Sequence, residues 1–131
     1  MIKVQTIVDV IDNSGAKTAR CIKIYGNNNP KTATLGSKIL VSVVTHLPVE
    51  KQLTKFNLKK KVTKGSLHWA IVVKVKKEVR REQEVVWMDS NAVVLLKRNN
   101  TFLFTRIIGS VAKDLNDLNH TKLVLAAKLI I

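Results

Sequence analysis

The sequence predicts a mainly β protein, folded as a small closed barrel with a short helical carboxy-terminal region. Three observations carry that expectation. Six short segments are rich in Val and Ile, which fit a pleated, half-buried surface. Gly, Asn, Asp or Ser separates most of them, as turns require. A chain of 131 residues suffices for one packed domain and is short for two. Short antiparallel strands in a chain of this size protect their edges by closing on themselves.

In chain order, strands are predicted at Thr6 to Ile11, Ala19 to Tyr25, Lys38 to Val44, Leu67 to Val75, Val85 to Met88 and Ala92 to Leu96. The turns between them are Asp12-Asn13-Ser14-Gly15, Gly26 to Pro30, Leu35-Gly36-Ser37, Lys64-Gly65-Ser66 and Asp89-Ser90-Asn91. Each offers a residue that tolerates a positive φ or bonds its own backbone. The tail reads differently. Ser110 is placed to cap a short helix, Val111, Leu115 and Leu118 follow at i, i+4 and i+7 on one face, and Asn119 ends it. Leu123 to Ala127 is a further short apolar segment. The expected organisation is one domain over residues 1–131, with the barrel over about 1–100 and the helical tail over about 105–131.

Charge narrows the function. Lys and Arg number 23 against 9 Asp and Glu, a net +14, and a compact chain repels itself at that density unless a polyanion neutralises it. The excess is local: residues 51–81 hold 11 basic residues and one acidic. One block, Lys51, Lys55, Lys59, Lys60, Lys61 and Lys64, precedes the apolar run Leu67 to Val75. The other, Lys74, Lys76, Lys77, Arg80 and Arg81, follows it. A run such as Lys59 to Lys61 is by itself an ordinary solvated loop. In the second block Val75 and Val79 interleave with the cations, which predicts an extended arm presenting charge on more than one side, suited to a polyphosphate.

Chemistry is thin by comparison. No apolar run approaches the ~20 residues of a membrane-spanning helix, and the start lacks the apolar stretch of a secretory signal and the look of a transit peptide. Cys21, the sole cysteine, is expected to be a small buried hydrophobe rather than a nucleophile. His46, His68 and His120 are scattered, so no metal site is expected. Glycine-rich phosphate loops and nucleophile elbows are missing, and no cofactor or catalytic residue is predicted. Asp12 is expected to serve the first turn as an Asx residue. Aromatics are only 5%, with Tyr25, Trp69 and Trp87 far apart in sequence and Phe56, Phe102 and Phe104 in or near loops. Recognition of folded RNA or duplex by charge and shape is therefore expected, not base stacking.

Four ordered blocks then carry a resemblance. Val8-Asp9-Val10-Ile11-Asp12-Asn13-Ser14-Gly15-Ala16-Lys17, continued by Cys21-Ile22-Lys23-Ile24-Tyr25-Gly26, is similar to the amino-terminal signature of the universal large-subunit ribosomal protein fourteen family. The stretch from Ala70 to Arg81 resembles that family's central strand and basic arm. Asp89 to Leu95 resembles its later strand, and Thr105 to Leu115 its helix start. The resemblance implies a five-stranded barrel with a projecting basic hairpin and no catalytic activity. It also implies binding to large-subunit rRNA at the face that meets the small subunit. The implied neighbours are large-subunit protein nineteen and, across an intersubunit bridge, small-subunit rRNA.

The chain also departs from the family pattern. Thr45 to Thr63 is a longer, Lys-rich connection carrying Leu47-Pro48-Val49 in place of a Pro-Arg-Gly turn, and Glu82-Gln83-Glu84 replaces a Pro-Asp-Gly hairpin tip. Phe104 stands where the family tends to have Gly, and Ser110 where it has Pro. Insertions and lost turn residues of this kind point to a mitochondrial ribosome, the alternatives being the cytoplasm of a bacterium or a plastid. The expected RNA contacts are Asn13, Ser14 and Lys17 in the first turn, Arg20 and Lys23 on the next strand, and Lys74, Lys76, Lys77, Arg80 and Arg81 on the arm. Arg106 either joins them or caps the tail. The rival readings are an RNA-binding barrel acting outside the ribosome, a small-barrel enzyme and a binder of anionic membranes. The ordered blocks argue against the first, and the scattered His, Cys and carboxylates against the second. Against the third stands the lack of a strongly amphipathic helix in the basic third.

Overall fold

The computed structural model describes residues 2–26, 30–47, 62–80, 84–103, 106–116, 118 and 120–131. Its strands are Ile7–Val10 (β1), Ala16–Ile24 (β2), Lys38–His46 (β3), Leu67–Lys74 (β4), Glu78–Arg80 (β5), Val85–Trp87 (β6), Ala92–Leu96 (β7), Ile107–Val111 (β8) and Ala127–Ile130 (β9). A 3-10 turn at Lys113–Leu115 and a helix at Thr121–Ala126 (α1) separate the last two. Strands β1, β2, β3, β4 and β7 form the closed barrel in that order, while β5 pairs with β6 and β8 with β9. The mainly β class and the five-stranded closure agree with the sequence reading.

Alternation builds the interior. Along β3, Ile39, Val41 and Val43 point inward and are buried, while the residues between them are only partly covered, as the two-residue period of a strand requires. Val8, Val10, Ala19, Cys21, Val72, Val93 and Leu95 complete the same core. The barrel closes where β1 pairs in parallel with β7, Asp9 opposite Ala92 and Val10 opposite Val93.

A second core lies outside the barrel. Ile71 and Val73 of β4 and Val94 and Leu96 of β7 turn their outer faces to Ile107, Val111, Leu115 and Leu123 of the carboxy-terminal segment. Strand β7, and β4 from Ala70 onward, are thus covered on both faces, which explains their unbroken apolar runs where one-sided strands alternate.

The tail corrects the sequence reading. Ser110 does not cap a helix: it and Val111 belong to β8, which pairs in parallel with β9, Ser110 opposite Leu129 and Val111 opposite Ile130. The expected apolar stripe is split, because Leu115 ends the 3-10 turn while Leu118 is 46% exposed. Helix α1 begins only at Thr121, and the segment Leu123 to Ala127 supplies most of it and the first residue of β9. Asn119, expected to end the helix, falls outside the described residues, as does 48–61, most of the Lys-rich connection.

Candidate nucleic-acid interface

The first turn is built around Asp12. This residue is 3% exposed, and its carboxylate accepts the Leu95 N–H at 2.8 Å and the Ser14 N–H at 3.1 Å, together with the Ser14 hydroxyl. The Asx reading holds, with a tie to β7 added. Burial pushes the carboxyl above its ordinary value, against the hydrogen bonds from Ser14 and Leu95 that favour the ionised form. Asn13 bonds the backbone of Arg106 in both directions, its Oδ1 and its N–H each lying 3.2 Å from the Arg106 partner atom. The turn therefore fixes the Arg106 backbone beside itself, with the Arg106 side chain exposed. Asn13 and Ser14 are half-buried and their side chains shape this turn.

Strand β2 carries the next cations outward. Strict alternation would send Lys17 and Arg20 to opposite faces, as it would Arg20 and Lys23. Irregularities in the β2–β3 register at Ala16/Thr18, Thr18/Ala19 and Cys21/Lys23 shift the phase, so that all three are exposed while Ala16, Ala19, Cys21 and Ile24 stay inside. Such bulges re-aim side chains along a strand. Because β2 starts at the first turn and runs antiparallel to β1, it ends at the opposite mouth of the barrel, where the arm leaves β4. Lys17, Arg20 and Lys23 form a ladder along β2 from one mouth to the other.

The arm is the β5–β6 hairpin, with Glu78 opposite Trp87 and Arg80 opposite Val85. Its base is anchored: Val75 and Met88 are buried in the barrel core, and Asn91 Oδ1 accepts the Lys76 N–H at 2.8 Å. Lys76, Lys77 and Arg80 are exposed, and Arg81 lies outside the described residues. Lys74 departs from expectation. It ends the doubly covered strand β4, is 7% exposed, and its ammonium lies 3.0 Å from Asp89 Oδ1 and 3.4 Å from Ser110 Oγ. That charge is spent inside the protein, a buried cation being retained only when paired. It in turn holds the Asp89 carboxyl below its usual range by hydrogen bond and charge.

One grouping escaped the sequence reading. Tyr25 and Trp69, 44 positions apart, meet edge to face with ring centroids 5.9 Å apart and planes at 86°. The Lys38 ammonium lies 4.9 Å from the Trp69 centroid and 5.5 Å from that of Tyr25, and donates to Asn100 Oδ1 at 2.6 Å. The register explains the meeting: Lys38 is opposite Ile71 and Leu40 opposite Trp69, while the Tyr25 N–H donates to the Lys38 carbonyl. Cys21 is fully buried, and burial pushes its thiol up. Among the described residues no group of three or more His, Cys, Asp or Glu is placed to hold a metal ion, and no helix is long and apolar enough to cross a membrane.

A family model described as ribosomal protein L14p/L23e matches residues 1–131, the whole chain.

Proposed function

Since the chain belongs to the ribosomal protein L14p/L23e family, structural and non-catalytic proteins of the large ribosomal subunit, we propose that it binds large-subunit rRNA by neutralising phosphates along a basic track that wraps the barrel. The track runs from Lys17 and Arg106 at the first turn, through Arg20 and Lys23 on β2, to Lys76, Lys77, Arg80 and Arg81 on the arm. Asn13 and Ser14 shape its start. Lys74 acts from within, holding the arm's return at Asp89. The observation that carries this reading is the out-of-phase ladder on β2, whose register irregularities turn three cations outward where regular pleating would bury at least one.

The same reading places the bound chain at the face that meets the small subunit, beside large-subunit protein nineteen and contributing a bridge to small-subunit rRNA. The Lys-rich connection and the missing hairpin-tip turn favour the mitochondrial ribosome. Sedimentation of the tagged chain through sucrose gradients at low and high magnesium tests both parts. Co-migration with the large subunit after the subunits separate is expected, with mitochondrial rRNA in the same fraction. Chain left at the top of both gradients sinks the proposal, and bacterial or plastid rRNA in the fraction sinks the mitochondrial part. With ~6 to 10 phosphates engaged, log K should fall against log salt with a slope of about −4 to −9.

A further inference from the structure

We propose that Tyr25, backed by Trp69 and Lys38, is a stacking platform for one unpaired nucleobase of the bound RNA. The inference rests on the rRNA-binding reading and adds a kind of contact that the basic track does not supply. Tyr25 is 62% exposed, so most of its ring is open even with Trp69 against it. Trp69, by contrast, packs against the second core. Trp69 is thereby held as a fixed support, and Tyr25 is the outward part of the pair.

The surroundings fit a nucleotide. Lys38 is held beside both rings by its bond to Asn100, which sits at φ +64 in the left-handed conformation that Asn tolerates. Lys23, exposed on β2 two residues before Tyr25, is aligned with Leu40, itself aligned with Trp69. An open ring with one cation fixed beside it and a second one step along the strand is the combination that takes a base by its π-face and its phosphate by charge. Binding by the ring is indifferent to salt, unlike binding by the ladder.

The test uses the full chain and deproteinised large-subunit rRNA as the probe. Trp69 is avoided as the variant because it supports the second core. Tyr25→Leu keeps an apolar side chain and removes the ring, while Tyr25→Phe keeps the ring. Loss of one stacked base, worth ~1–3 kcal/mol, corresponds to about 5- to 150-fold weaker binding. The expected result is that Tyr25→Leu weakens binding within that range with an unchanged salt slope, and Tyr25→Phe binds within about twofold of the parent. In a W87F background, where Trp69 is the remaining tryptophan, its emission should change on RNA binding and fail to change with Tyr25→Leu. Tyr25→Leu binding as tightly as the parent, with a steep salt slope in both, overturns the platform and leaves the phosphate track standing. An unchanged Trp69 emission on binding overturns it equally. A parent chain that shows no salt-dependent binding at all overturns the underlying rRNA reading instead, and the platform falls with it.

Discussion

Replacing Asp12 with Ala removes the carboxylate that ties the exit of β1 to β7. The Leu95 N–H it accepts lies in a fully buried strand, and a stranded buried donor costs ~1–3 kcal/mol. The two Ser14 donors are half-buried and turn to water, adding ~1 kcal/mol. The variant should lose about 2–4 kcal/mol. With an unfolding entropy of ~2.1 cal/mol/K per residue, that is a fall in Tm of about 7–15 °C. Asp12→Asn separates charge from shape. Burial raises the folded carboxyl above its ordinary 3.8, so the native state holds the proton more tightly than the unfolded chain. The resulting stability is fully present below 3.8 and is lost as pH rises through the folded value. The parent's stability relative to Asp12→Asn should therefore be greatest in acid and shrink toward neutrality. Thermal unfolding followed by circular dichroism across a pH series measures both effects. A Tm loss below about 3 °C for Asp12→Ala would refute the anchoring role. A parent advantage that grows with pH would show that the hydrogen bonds to the ionised form outweigh burial.

Changing Lys76, Lys77, Arg80 and Arg81 together to Ala should make the salt slope shallower by about 3; filter binding across a salt series reads it, and an unchanged slope removes the arm from the RNA footprint. Asp89 should titrate with the opposite sign to Asp12, because Lys74 lowers its pKa. Its contribution is present above 3.8 and is lost as pH falls through the depressed value, so Asp89→Asn should flatten that part of the acid limb in urea unfolding. Gly36 has φ +80, and a Cβ there would stand 2.9 Å from Leu118 Cδ1. Gly36→Ala should cost at least ~1–2 kcal/mol in chemical denaturation, and a neutral result would mean that the turn relaxes. The Cys21 thiol should resist iodoacetamide in the native chain and react once urea unfolds it; fast native labelling would contradict its burial.

The barrel was legible because its signal is local. Runs of Val and Ile, alternating or unbroken, with Gly, Asn or Asp between them, report each barrel strand without its neighbours. What failed was set by partners distant in the chain. Ser110 and Val111 look helical by spacing, yet they pair with Leu129 and Ile130, and a parallel partner that far along leaves no periodic mark. Grouping Lys74 with the arm overlooks its place inside the run Leu67 to Val75. A cation within a strand covered on both faces needs a counter-charge, and Asp89 was the signal available. The outward phase of Lys17, Arg20 and Lys23 depends on register irregularities that no composition encodes. Tyr25 and Trp69 are far apart along the chain but meet across β3, a proximity that spacing in sequence does not show.

The parallel seam between β1 and β7 also sets the order in which the molecule can assemble. Asp12 and Leu95, bonded across it, are 83 residues apart, so the first strand must wait for nearly the whole barrel before its second edge is covered. Loop closure of that length is entropically costly, and folds dominated by such contacts form slowly. Until β7 arrives, an open apolar sheet edge and a highly cationic chain coexist in one polymer. A nucleic-acid scaffold that held the basic strand early would shorten the search for the seam, making the site of binding also a guide for folding.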